Sequence, residues 1–151
     1  MDFFLHLFIG FAVLAGVVCT WAIVYYFANP QPDNPDGKAR ITGSCGDTME
    51  IALTFDGERV KETSHWTDGC AYSLNCVYAA ACLAKDKTPD EILEIDERAI
   101  QEFIGGLPSD HIHCARLAHE TLQAALEDFM RNQAGKAHGG TGRKREGGKK
   151  P

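Results

Sequence analysis

Three short segments of this 151-residue chain place soft or borderline metal ligands beside backbone breakers. The first is Gly43-Ser44-Cys45-Gly46-Asp47, the second Asp68-Gly69-Cys70, and the third His113-Cys114. Thiolates select zinc, copper(I) or iron–sulfur clusters, and imidazole can join them. Glycine beside a cysteine lets the backbone approach a bulky inorganic centre without a Cβ clash. The candidate ligand set is therefore Cys45, Asp47, Cys70, His113 and Cys114. Three thiols mixed with a carboxylate or imidazole differ from the four thiolates of a stable electron carrier. A carboxylate is a hard ligand on iron next to sulfide, so a cluster held this way is expected to be easily released. The paired spacing of a zinc finger is absent. Cys beside His does not by itself establish catalysis, and no hydrolase-type nucleophile–base–orienter pattern is visible, so no enzymatic activity is expected. Cys76 and Cys82 fall in an apolar stretch and read as packing residues.

Each ligand segment must sit at the boundary of a structural element. Met49, Ile51, Leu53 and Phe55 alternate with Glu50, Ala52 and Thr54, the period of a half-buried strand. Asp56-Gly57 is a hairpin signal, and Arg59 to Trp66 returns as a second strand with Trp66 expected in the core. Ser73 to Ala84, rich in alanine, reads as a buried helix. Thr88-Pro89-Asp90-Glu91 is a helix start with the residues of a capping box. A short helix is predicted from Asp96 to Ile104, ending at Gly105-Gly106. The last, from about Asp110 to Met130, aligns Ala115, Ala118, Leu122, Ala125, Leu126 and Phe129 on one stripe. The expected fold is a small α+β domain, an antiparallel hairpin packed with helices, spanning 41–132.

Ahead of it, Phe3 to Phe27 is apolar and would reach about 37 Å as a helix at ~1.5 Å per residue, against a hydrocarbon core of about 30 Å. Aromatic residues at both ends resemble interfacial anchors. The start Met1-Asp2 lacks the basic residues of a signal peptide, so residues 1–28 are predicted to be a single transmembrane anchor in the lipid bilayer. Lys38 and Arg40 follow the span and no basic residue precedes it, which orients the domain to the cytoplasm. Residues 29–40, with Pro30, Pro32 and Pro35, read as a stiff linker, and 133–151 as a basic disordered tail. The net charge is −6 and the body is acidic, which argues against nucleic acid as a partner. An odd set of thiols in the soluble part fits a reducing compartment better than a disulfide framework.

At these residues the chain resembles the NifU/IscU-type iron–sulfur cluster assembly scaffolds. The resemblance rests on Cys45-Gly46-Asp47-Thr48-Met49, on Thr67-Asp68-Gly69-Cys70, and on Leu107-Pro108 leading to His113-Cys114-Ala115. It implies an α+β fold with a three-stranded antiparallel sheet and a transient [2Fe–2S] cluster built from iron. It further implies sulfur from a cysteine desulfurase and transfer to apo iron–sulfur proteins. Cys45, Cys70 and Cys114 match the cluster thiolates, Asp47 the carboxylate linked to lability, and His113 the histidine beside the last thiolate. Some members bind zinc in the same pocket. His111 stands where the family usually has lysine, which puts help from an Hsp70-type chaperone in doubt. Ala71 replaces a common glycine, Cys76 is an extra thiol, and the membrane span lies outside the usual pattern. Two other readings of the same residues are a zinc-stabilised interaction domain and a persulfide relay.

Overall fold

A computed structural model describes residues 2–28 and 34–139. The chain divides between Gln31 and Pro32 into two units. The first contains helix α1 (Asp2–Ala28), whose apolar stretch His6–Tyr25 has a mean hydropathy of 2.5 and no burial within the structure. It is long and apolar enough to cross a membrane. Within it Trp21 stacks on Tyr25, and Thr20 Oγ1 donates to the Gly16 carbonyl at 2.8 Å.

The second unit is an α+β domain. Strands β1 (Gly37–Thr42), β2 (Thr48–Asp56) and β3 (Arg59–Thr67) form an antiparallel sheet in the order β1-β2-β3. Helices α2 (Ala71–Ala84), α3 (Pro89–Leu93), α4 (Glu97–Phe103) and α5 (Ile112–Gly139) follow. Met49, Ile51 and Leu53 of β2 are fully buried, as their alternation predicted, and pack with Val77 and Ala80 of α2 and with Leu122 and Leu126 of α5. Small side chains along α2 let it lie close against its neighbours, which is why Ala79, Ala80, Ala81 and Ala84 are core residues. The expected capping box is present: Thr88 Oγ1 accepts from the Glu91 N–H at 3.3 Å, and Glu91 Oε2 from the Thr88 N–H at 2.9 Å. Asp96 caps α4 through the Ala99 N–H at 2.8 Å.

The structure moves several sequence-based boundaries. β1 begins at Gly37, ahead of the expected domain start at Ile41, so the last residues of the 29–40 linker are a strand; Asn29 to Asp33 lie outside the described residues. Gly37 is buried against α5, and a Cβ there would collide with the Ala125 carbonyl and meet Phe129 Cβ at 2.7 Å. The Lys38 N–H, on the outer edge of the sheet, donates to Asp128 of α5 at 3.1 Å. α2 starts at Ala71 rather than Ser73. α5 continues past Asn132 to Gly139, where a disordered tail was expected; Asn132 bonds the Asp36 carbonyl and Lys136 pairs with Asp36 at 3.8 Å. The remainder of that tail, from Gly140, lies outside the described residues. Trp66 is not in the core. It is 43% exposed on the outer face of the sheet, where the Arg40 guanidinium lies 4.3 Å from its ring centroid.

Gly37→Ala is expected to destabilise the domain by roughly 2–3 kcal/mol, because the added carbon meets backbone that cannot shift without separating α5 from β1. Urea unfolding would check it; an unchanged midpoint would contradict this packing.

Candidate metal centre

The site is assembled by three chain reversals at one end of the sheet. The first is the loop between β1 and β2. The Gly43 N–H donates to the Asp47 carbonyl at 2.9 Å and the Gly46 N–H to the Gly43 carbonyl at 3.0 Å, with Thr42 and Thr48 paired at its base. This loop carries Cys45 and Asp47. The second is the turn after β3. Asp68 Oδ1 accepts from the Thr48 N–H at 2.6 Å, Thr67 Oγ1 donates to the Thr48 carbonyl at 2.7 Å, and the same hydroxyl accepts from the Gly69 N–H at 3.1 Å. These bonds tie the segment leading to Cys70 to the base of the first loop. The third is the start of α5, where the Cys114 N–H donates to the His111 carbonyl at 3.0 Å and the Cys114 side chain is buried at 1% exposure.

The ligand atoms of Asp47, Cys70 and Cys114 lie within 4.8 Å of one another. Two sulfurs and one carboxylate oxygen at that separation can close on a single zinc or iron ion with small side-chain adjustments. Cys70 is exposed, Asp47 half-buried and Cys114 buried, so the group opens to solvent on one side. Cys45 and His113 fall outside this group. They line an adjoining cavity of about 300 Å³ with Arg116, Leu117 and Glu120. Cys45 is exposed on its loop, and its charge is nonetheless felt at Cys114. The tight three-residue cluster is thus a subset of the five sequence-derived candidates.

Ser73 is the residue that sequence reasoning missed. It is fully buried, and its hydroxyl donates to Asp47 Oδ2. The same oxygen is 3.7 Å from Cys70 Sγ and 3.5 Å from Cys114 Sγ. A usable signal was present: Cys70 is the N-cap of α2 and Ser73 is its N3 position, which faces the cap. Placing the helix start at Ser73 concealed that relation. Gly69 completes the packing, because a Cβ there would run into the Asp47 carboxylate and meet Ser73 Cβ at 2.7 Å.

The electrostatics separate the thiols. Cys70 is pulled below the usual thiol range, first by the backbone N–H of Ser73, against smaller opposing effects of burial and of Asp47. The sulfur faces that N–H too loosely for a capping hydrogen bond, so the pull is that of a helix N-terminus on an anion. No flanking cation is involved, which is why acidic surroundings in the sequence concealed it. Cys114 is pushed up, chiefly by burial. Cys76, fully buried behind the site, is pushed up to about 12 by burial and by the charges of Cys114 and Cys70. In the metal-free chain near neutral pH, iodoacetamide is therefore expected to alkylate Cys70 before Cys76 or Cys114. Peptide mapping by mass spectrometry would check the order, and early labelling of Cys76 would contradict it.

His111 lies beside the site, its ring 4.2 Å from Tyr72 and 6.2 Å from His113. Its Nδ1 is 3.0 Å from Asp110 Oδ1 but not aligned for a hydrogen bond.

Comparison with known proteins gives this arrangement a family. Residues 23–136 match the model of the NifU-like N terminal domain. The iron–sulfur cluster assembly scaffold protein IscU 1 of Archaeoglobus fulgidus is 33% identical over 111 residues, covering 70% of this chain and 72% of that protein. The nitrogen fixation protein NifU of Azotobacter chroococcum is 30% identical over 111 residues, covering 69% of this chain and 36% of that protein. Among solved structures, the N-terminal part of a NifU-like protein from Brucella abortus has the same fold, with a TM-score of 0.50 at 17% identity over 72% of this chain and 92% of that one. With the family model spanning most of the described domain, this chain belongs to the NifU-like N-terminal domain family.

Proposed function

We propose that this chain is a scaffold for a transient [2Fe–2S] cluster, built from iron and from sulfur supplied by a cysteine desulfurase and then passed to apo-proteins. The observation that carries the proposal is the convergence of Asp47, Cys70 and Cys114 at one solvent-open point of a NifU-like domain. Cys45 is the third thiolate in this reading, brought in by its exposed hairpin loop, and His113 serves from the adjoining cavity. The cluster is cargo. Donors suited to that task must hold iron firmly enough to assemble it and loosely enough to let it go, which a carboxylate among thiolates provides. A permanent structural zinc site fits less well, since such sites are closed and use Cys and His. Zinc would nevertheless fit the same donors, so zinc in the purified protein is compatible with the proposal.

The low-lying, exposed Cys70 thiol supports a sulfur-accepting step at the same site. Its thiolate attacks the outer sulfur of a donor persulfide, a new S–S bond forms at Cys70, and the donor cysteine leaves as thiolate. α1 is the membrane anchor in this proposal, with Lys38 and Arg40 on the cytoplasmic side. Carbonate extraction is expected to leave the chain in the membrane fraction; release into the supernatant would overturn the anchor.

Anaerobic reconstitution of the full chain in detergent with iron and sulfide is expected to give the absorption bands of a cluster. That cluster is expected to move to apo-ferredoxin. A spectrum without those bands, or a cluster that never reaches the acceptor, would sink the scaffold reading.

A further inference from the structure

The hydroxyl of Ser73 lies against all three clustered side chains. Its hydroxyl oxygen is fully buried, donates to Asp47 Oδ2, and lies 3.5 Å from Cys114 Sγ and 3.7 Å from Cys70 Sγ. A serine hydroxyl has one proton and two lone pairs. The proton is committed to the carboxylate, so both lone pairs remain for the two thiol S–H groups. One oxygen can thus donate to the carboxylate and accept from both thiols, which would draw all three side chains toward a common point before any metal arrives.

We propose that Ser73 is the positioning residue of this site: it holds Asp47, Cys70 and Cys114 converged in the metal-free chain and acts on the bound metal through Asp47. When a divalent cation binds, the two thiols release their protons to solvent and their bonds to Ser73 are lost. The bond to Asp47 persists, because the carboxylate has a second oxygen and further lone pairs for the metal. Ser73 then orients the one hard ligand, as partners behind a metal-bound carboxylate do elsewhere. Position supports the assignment. Ser73 sits in the first turn of α2, whose backbone is fixed by packing against β3 and α5, so its hydroxyl is a rigid reference point for ligands that come from two other segments. Gly69 leaves the space in which Asp47 reaches it.

The role deepens the scaffold reading and is tested apart from it, using Co²⁺ as the probe on full-length chain in detergent. Wild type, Ser73→Ala, Asp47→Ala and the double variant are compared by the sulfur-to-cobalt charge-transfer bands and by Co²⁺ affinity. Ser73→Ala is expected to weaken Co²⁺ binding about tenfold or more. In the Asp47→Ala background the same change is expected to cost much less, because the carboxylate through which it acts on the metal is gone. Alanine is a good helix former, and urea midpoints of each variant separate folding from binding. Wild-type affinity in Ser73→Ala, or a penalty that adds in full to that of Asp47→Ala, would overturn the proposal. If the cobalt coupling is found while reconstituted wild type fails to pass a cluster to apo-ferredoxin, the scaffold reading falls and the role of Ser73 stands. Normal cluster transfer without the coupling gives the reverse.

Discussion

Asp47→Ala is expected to assemble a cluster and then keep it, with transfer to apo-ferredoxin slowed at least about tenfold, or ~1.4 kcal/mol in the barrier. Two effects oppose one another. In the proposed reading, removing Asp47 takes away a ligand and weakens binding, yet that ligand is the hard, exchangeable one among soft thiolates. An incoming acceptor thiolate that displaces a carboxylate meets less resistance than one that must displace a thiolate. The surroundings of Asp47 tip the balance further. Its negative charge works against both Cys70 and Cys114 as thiolates, so its loss favours their metal-binding form. Slower ligand exchange should therefore dominate the transfer rate, even though the equilibrium affinity for metal falls. Stopped-flow transfer measured by circular dichroism decides it: equal or faster transfer in the variant would contradict the argument.

Local chemistry was readable from the sequence wherever it closed on itself within a few residues. The Thr88–Glu91 capping box, the Asp56-Gly57 turn and the alternation of β2 each involve neighbours in sequence, and the structure contains all three. β1 went unread because its outward positions, Lys38 and Arg40, are charged, its inward ones include only Ala39 and Ile41 as apolar side chains, and a proline-rich stretch precedes it. What makes it a strand is distant: Gly37 and Lys38 are fixed by Ala125, Asp128 and Phe129 of α5. Trp66 was misplaced because aromatic size suggests a core position, while its partner across the sheet is a guanidinium. At the site, ligand types and glycine neighbours were legible, and Asp47, Cys70 and Cys114 do converge. Ser73 was not legible as a site residue. Its importance comes from the buried end of a helix meeting a loop that lies 26 positions away in the chain.

Gly69→Ala is expected to lower metal affinity about 100-fold while leaving most of the fold intact, a cost of ~2.7 kcal/mol in binding. The requirement at this position is space. A Cβ on Gly69 would meet Asp47 Cγ and Ser73 Cβ, each at 2.7 Å, and would press into Asp47 Oδ2. Ser73 Cβ belongs to the fixed first turn of α2 and cannot yield cheaply, so the carboxylate must swing away. That movement breaks its bond to Ser73 and takes it out of reach of the two sulfurs. Gly57 supplies the contrast. It sits at the tip of the β2–β3 hairpin with φ +65° and no atom within 4 Å of an added Cβ, so Gly57→Ala is limited by dihedral strain alone. It should cost about 1–2 kcal/mol of stability and leave metal binding unchanged. Titration with Co²⁺ beside urea unfolding separates the two variants. If Gly69→Ala binds like wild type, the Asp47 carboxylate does not need the place in which the structure holds it, and the convergence of the three ligands loses its functional meaning.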